Sequence, residues 1–164
     1  MKTVIVNFYG GAASYGGMKM GWWNRTRYIW ARILLRGDHV HVDVLHNGVH
    51  YACLRGRGNV KLMPSEADRP SLQIQMVVPV PMVRPWRCEP YPRQYTSARS
   101  VLDVLGLLPK RVRVWNCVQA TAYFIGLTDR VRTPRQLRRA IRTRGDRHGW
   151  VVLRTKGHGD CTAE

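Results

Sequence analysis

The stretch His39-Val40-His41-Val42-Asp43-Val44-Leu45-His46-Asn47-Gly48-Val49-His50-Tyr51-Ala52-Cys53-Leu54 decides the fold class. On an extended chain its alternation puts Val40, Val42 and Val44 on one face and His39, His41, Asp43 and Leu45 on the other. Asn47-Gly48 supplies two residues that tolerate positive φ, which a tight hairpin turn requires. The residues from His50 to Leu54 then read as the returning strand. An antiparallel hairpin with one apolar and one ionisable face implies an antiparallel sheet.

Upstream, Val4 to Tyr9 is β-branched and aromatic, reads as a first strand, and is broken by Gly10-Gly11. Residues 11–21, with Gly16, Gly17 and Gly21, read as a loop, and the spacing of apolar residues predicts a helix over 23–34, ended by Gly37. Downstream, Arg55 to Asn59 reads as a basic connection, Val60 to Met63 as a short strand, and 64–71, with Pro64 and Pro70, as a turn region. Leu72 to Val78 alternates and then runs apolar, the pattern of a core strand. Pro79, Pro81, Pro85, Pro90 and Pro92 make 79–95 extended and irregular, with Trp86 packed. Thr96 or Ser97 caps a helix through Val101, Leu102, Val104 and Leu105, closed by Gly106.

The second informative stretch is Trp115-Asn116-Cys117-Val118-Gln119-Ala120-Thr121-Ala122-Tyr123-Phe124-Ile125-Gly126-Leu127. Asn116 is a good N-cap, Val118, Thr121, Ala122 and Ile125 recur at helical spacing, and Gly126 supplies the stop. Cys117 thus falls in the first helical turn, where unpaired N–H groups and the helix dipole favour a thiolate. Thr133-Pro134 begins a further helix as N-cap and N1, with Leu137, Ala140 and Ile141 inward and Gly145 as C′. Trp150 to Leu153 reads as a final strand. Residues 1–155 are expected to form a single domain and 156–164 a loose tail.

The chain has 164 residues, enough to bury a core, and 45% of them are hydrophobic. Lys and Arg number 27 against 10 Asp and Glu, a net charge of +17 that favours polyanionic partners such as nucleic acid or acidic proteins. Arg135, Arg138, Arg139, Arg142 and Arg144 concentrate that charge on the outer face of the Thr133 helix. The four cysteines (Cys53, Cys88, Cys117 and Cys161) are scattered, which argues against a disulfide scaffold or zinc ribbon. The N-terminal apolar run is too short for a signal peptide, and no run reaches membrane-spanning length.

A cysteine at a helix start needs a base to act as a nucleophile. Four of the six histidines lie close together: His39, His41, His46 and His50. His39 and His41 could bind zinc as an alternating pair, but Cys53 is the one thiol nearby and no third ligand is well placed, so no metal or other cofactor is expected. His46 and His50 read as surface or cross-strand polar residues. The alternative is that a strand histidine takes the proton of Cys117, with His39 and His41 both candidates by parity.

These segments together resemble a known group. His41-Val42-Asp43-Val44-Leu45-His46-Asn47-Gly48 is similar to the His-Val-Glu hairpin of circularly permuted NlpC-type papain-fold enzymes, many of them from bacteriophages. Arg55-Gly56-Arg57-Gly58-Asn59-Val60-Lys61 is similar to the group's Gly-rich connection, and Trp115 to Ala120 to its aromatic-x-Cys helix start. Ile125-Gly126-Leu127 and Thr133-Pro134-Arg135-Gln136-Leu137 resemble its later segments, and the hairpin precedes the Cys helix as in permuted members.

The resemblance implies an α+β, papain-like fold: an antiparallel sheet packed against a nucleophile helix, with flanking helices. It implies Cys117 as nucleophile and His41 as general base, the Asp-x-x-x-Asn-Gly register favouring His41 over His39. Asp43 takes the group's Glu position beside the base, and Gln119 stands where the group has Glu. The residue orienting the imidazole belongs on the returning strand, at a count that lands on Cys53, with His50 and Tyr51 nearby. The implied activity is amide hydrolysis through a Cys117 thioester, with a peptidoglycan stem peptide as substrate, in host cytoplasm or phage virion. The alternative expectation is an inactive virion structural protein, associated with DNA or capsid, on the same fold.

Overall fold

The computed structural model describes residues 1–10, 41–54, 58–62, 70–86, 117–127 and 131–157, with positions 26, 29, 30, 32, 33, 35, 39, 102, 105 and 107. The expected caps at Asn116 and Thr96 or Ser97, the loop 11–21, and the C-terminal residues from 158 onward lie outside the described residues. The described positions between 26 and 35 are helical, as is Leu102, in keeping with the helices expected there.

Six strands form one antiparallel sheet: β1 (Lys2–Tyr9), β2 (His41–His46), β3 (Val49–Leu54), β4 (Gly58–Leu62), β5 (Leu72–Val78) and β6 (Val151–Gly157), in the order β4-β3-β2-β1-β5-β6. Among the described residues two helices pack on it, α1 (Cys117–Phe124) against β2 and β3, and α2 (Pro134–His148) against β6 and α1. The architecture is α+β.

The core follows from alternation. Val4, Val6 and Phe8 of β1, Val42 and Val44 of β2, and Leu72, Ile74, Met76 and Val78 of β5 share one fully buried face. Val118, Ala122, Phe124 and Ile125 of the α1 segment and Leu137, Ala140 and Ile141 of α2 cover it. Burying each of the larger aliphatic side chains contributes about 1.5–3 kcal/mol. The hairpin turn forms as expected, with Asn47 at φ 52° and Gly48 at φ 72°.

Both ends of the connection between α1 and α2 are tied by local hydrogen bonds. At the end of α1, Gly126 has φ +76°, its N–H donates to the Tyr123 carbonyl (3.0 Å), and the Leu127 N–H donates to the Ala122 carbonyl (2.8 Å). This is a Schellman motif, which satisfies carbonyls the helix leaves open. At the start of α2, the Gln136 N–H donates to Thr133 Oγ1 (3.2 Å) while Gln136 Oε1 accepts from the Thr133 N–H (3.2 Å) and the Arg132 N–H (2.8 Å). The result is a capping box.

Four expectations are corrected. α2 continues through Gly145 to His148, and Gly149 at φ +64° is the glycine that follows it. A glycine inside a helix costs about 1 kcal/mol, which fifteen residues of otherwise anchored helix can absorb. Val80–Met82 is a short 3-10 turn rather than extended chain, started by the fixed φ of Pro79 and Pro81. β4 begins at Gly58 inside the expected connection. β6 runs to Gly157, past the expected tail boundary, because it continues its ladder along β5 to Leu72↔Gly157. A bulge interrupts that ladder: Gln75 pairs with Arg154 and Met76 with Val152, leaving Leu153 as the extra residue and 54% exposed.

Candidate active site

Cys117 is the first residue of α1 and half-buried, at the edge of the hydrophobic core. Its helix packs on the core face of the sheet, yet alternation along β2 assigns His41 to the opposite face with Asp43. Cys117 and His41 meet at the start of β2, where His41 is the first residue. β3 pairs with β2 only from Asp43↔Ala52 to His46↔Val49, so His41 and Val42 lie beyond the end of that ladder. There the His41 imidazole hydrogen-bonds the Cys117 thiol, and backbone N–H groups of Val42 and Val118 donate to the same sulfur.

The electrostatics oppose one another. Burial pushes the thiol pKa up, but the charge of a protonated His41, the hydrogen bond from its ring, and the Val42 and Val118 N–H groups together outweigh it. The pKa lies below the ordinary thiol value, the condition a nucleophilic thiolate requires.

His39 and His41 part company. His39 lies outside β2, and its ring stands edge-on to Phe8 at 5.5 Å. His41, 8% exposed, stands against the Tyr9 ring at 5.7 Å and 43°. Phe8 belongs to the core face and Tyr9 to the other, so the shared face expected of the two histidines does not extend back to His39. Among the described residues no three His, Cys, Asp or Glu side chains converge in a metal-holding group.

Asp43 is buried beside the pair, in a row of polar side chains that the sheet register aligns. β1 and β2 put Asn7 opposite Asp43 and Tyr9 opposite His41; β1 and β5 put Gln73 opposite Asn7. Accordingly Asn7 Nδ2 donates to Asp43 Oδ1 (2.7 Å), Tyr9 OH donates to Asp43 Oδ2 (2.7 Å), and Gln73 Nε2 donates to Asn7 Oδ1 (2.9 Å). His50 Nδ1 stands 3.6 Å from Asp43 Oδ2, beyond hydrogen-bond length for neutral groups. His50 thus stands beside Asp43 across the β2–β3 pairing.

Of the surface or cross-strand setting expected for His46 and His50, the cross-strand one is found: both are buried, and each reaches a neighbouring strand. His46 is on the core face, where its Nδ1 donates to the Thr3 carbonyl (2.9 Å) and its ring meets Phe124 edge-on at 5.7 Å. Trp86 packs as expected, against Tyr51 (5.6 Å) and Phe124 (5.7 Å). Tyr51 stacks on Phe124 at 5.5 Å, so it serves the core under α1 rather than orienting His41. Cys53 pairs with Asn59 in β4, beyond the end of the β2–β3 register.

Asn7, Tyr9 and Gln73 are absent from the sequence-based site. A signal existed for one of them: Asn7 is a lone amide in the apolar run Val4-Ile5-Val6-Asn7-Phe8-Tyr9, and it is fully buried. A buried amide needs partners, which points to polar residues on the neighbouring strands. No protein-family model, curated protein or solved structure matches the chain.

Proposed function

We propose that this chain is a papain-like cysteine hydrolase acting on an amide bond, with Cys117 as nucleophile and His41 as general base and acid. The observation that carries the reading is the Cys117 thiol at the start of α1, hydrogen-bonded by His41 and held below its ordinary pKa. The thiolate adds to the amide carbonyl carbon, and backbone N–H groups at the start of α1 hold the oxyanion. As the C–N bond breaks, the His41 imidazolium gives its proton to the departing amine and a Cys117 thioester remains. Water, deprotonated by His41, then releases the acid and restores the thiol.

The α+β architecture supports the same reading: a cysteine helix packs on an antiparallel sheet whose preceding hairpin carries the histidine. By the resemblance of its motifs the substrate is a peptidoglycan stem peptide. The test offers the protein an activated acyl ester and a panel of peptides that includes such stem peptides. Mass spectrometry should find an acyl adduct on Cys117 and cleaved product, both lost in Cys117→Ala and His41→Ala. Acylation as fast in the His41→Ala protein would overturn the assignment.

A second reading, a binding protein for nucleic acid or acidic virion proteins, has its own observation. Arg135, Arg139 and Arg142 are exposed at helical spacing along α2, with Arg138 half-buried between them, in a chain of net charge +17. DNA binding that weakens steeply with salt and survives Cys117→Ala would favour it. Among the described residues no helix is long and apolar enough to cross a membrane.

A further inference from the structure

We propose that Tyr9, from β1, is a positioning residue of the Cys117–His41 pair. The inference rests on the cysteine–histidine reading above and adds to it the element that fixes the imidazole. Three observations converge on Tyr9. It lies opposite His41 in the β1–β2 register, so the two side chains emerge side by side on one face. Its ring stands 5.7 Å from the His41 ring at an interplanar angle of 43°. Its hydroxyl donates to Asp43 Oδ2 at 2.7 Å, and Asp43 is itself held by Asn7, which Gln73 holds in turn.

The consequence is a braced wall. A tyrosine whose hydroxyl is tied to a buried carboxylate cannot swing about χ1 without breaking that hydrogen bond, and it is 3% exposed. The His41 ring is therefore flanked by a tethered Tyr9 ring, and it hydrogen-bonds the Cys117 thiol. Among the described residues, the ionisable groups shown against Tyr9 and its carboxylate partner are His41, Asp43 and His50, and all are carried unchanged through the test.

The experiment measures the rate of Cys117 alkylation by iodoacetamide against pH, resolved by peptide mass spectrometry, in the full chain and in Tyr9→Phe and Tyr9→Leu. Tyr9→Phe keeps the ring and removes the tether; Tyr9→Leu removes both. The thiolate population of Cys117 near neutral pH should fall about two- to tenfold in Tyr9→Phe, the range spanned by one net hydrogen bond, and further in Tyr9→Leu. If Tyr9→Leu does not fold, Tyr9→Phe decides alone. A purely structural role would lower the unfolding midpoint of both variants and leave the pH midpoint of alkylation where it was, and that result overturns the proposal. An ordinary thiol midpoint in the unaltered protein would instead sink the cysteine–histidine reading, a failure visible before any Tyr9 variant is made.

Discussion

Replacing Gly126 with alanine tests how the fold fixes the helix that carries Cys117. Two costs can be separated. Gly126 sits at φ +76°, and a non-glycine residue in that left-handed region costs roughly 1–2 kcal/mol. A Cβ at Gly126 would also lie 2.7 Å from the Met82 carbonyl oxygen and 3.0 Å from the Met82 Cβ, so backbone must move. Met82 cannot move freely, because its N–H donates to the Pro79 carbonyl (2.9 Å) and, two residues on, the Arg84 N–H donates to the Phe124 carbonyl (3.0 Å). Overpacking of this kind adds about 1–3 kcal/mol, for a total of about 2–5 kcal/mol.

Gly48 provides the control. Its φ is +72°, yet a Cβ there would meet nothing within 4 Å, so Gly48→Ala should cost only the roughly 1–2 kcal/mol of the backbone conformation. Urea unfolding of both variants measures the difference, and each kcal/mol should lower the melting temperature by about 2–4 °C for a chain of this size. Equal losses in the two variants would refute the close seating of the end of α1 on the Val80–Met82 turn.

Other perturbations follow from the same contacts. Asp43→Ala strands two buried donors, the Asn7 amide and the Tyr9 hydroxyl, and should cost about 2–6 kcal/mol by urea denaturation, whereas Asp43→Asn keeps an acceptor and should cost less. Thr133→Ala removes the oxygen that accepts the Gln136 N–H and should destabilise by about 1 kcal/mol, read from the same unfolding curves. The Cys117 pKa is lower in the folded protein than in the unfolded chain, so its contribution to stability is fully present above the ordinary thiol range and is lost as pH falls through the folded value. Between about pH 6 and pH 9, the stability difference between the unaltered protein and Cys117→Ala should therefore grow with pH; a flat difference would contradict the lowered pKa.

The parts of the fold that were legible in the sequence are those governed by near neighbours. Asn47-Gly48 specifies its turn through two adjacent φ angles, Thr133-Pro134 and Gln136 close a capping box over four residues, and Gly126 ends α1 through bonds reaching back five. The alternation of Val42 and Val44 with His41 and Asp43 was equally plain, because strand period is local. Gly145 misled, since a glycine ends a helix only where the chain turns, and the turn waits for Gly149, which lies against Pro79 from another part of the chain.

The candidate site divides the same way. Cys117 and His41 stood out by residue type and local setting, and the structure brings them into contact. The row Gln73–Asn7–Asp43–Tyr9 did not, because its hydrogen-bonded partners are 34 to 66 residues apart in sequence and meet through the registers of β1 with β2 and β5. His50, near the expected position of the orienting residue on the returning strand, stands 3.6 Å from Asp43, itself a candidate site residue.

The Cys117–His41 couple is tested most directly by titrating the thiolate through its ultraviolet absorbance, taking the difference between the unaltered protein and Cys117→Ser so that the other cysteines cancel. The midpoint should fall below the roughly 8.5 of an unperturbed thiol, and His41→Ala should raise it, because burial then faces only the two backbone donors. A midpoint at or above the ordinary value, or one that His41→Ala leaves in place, would contradict the pairing on which the proposed function stands.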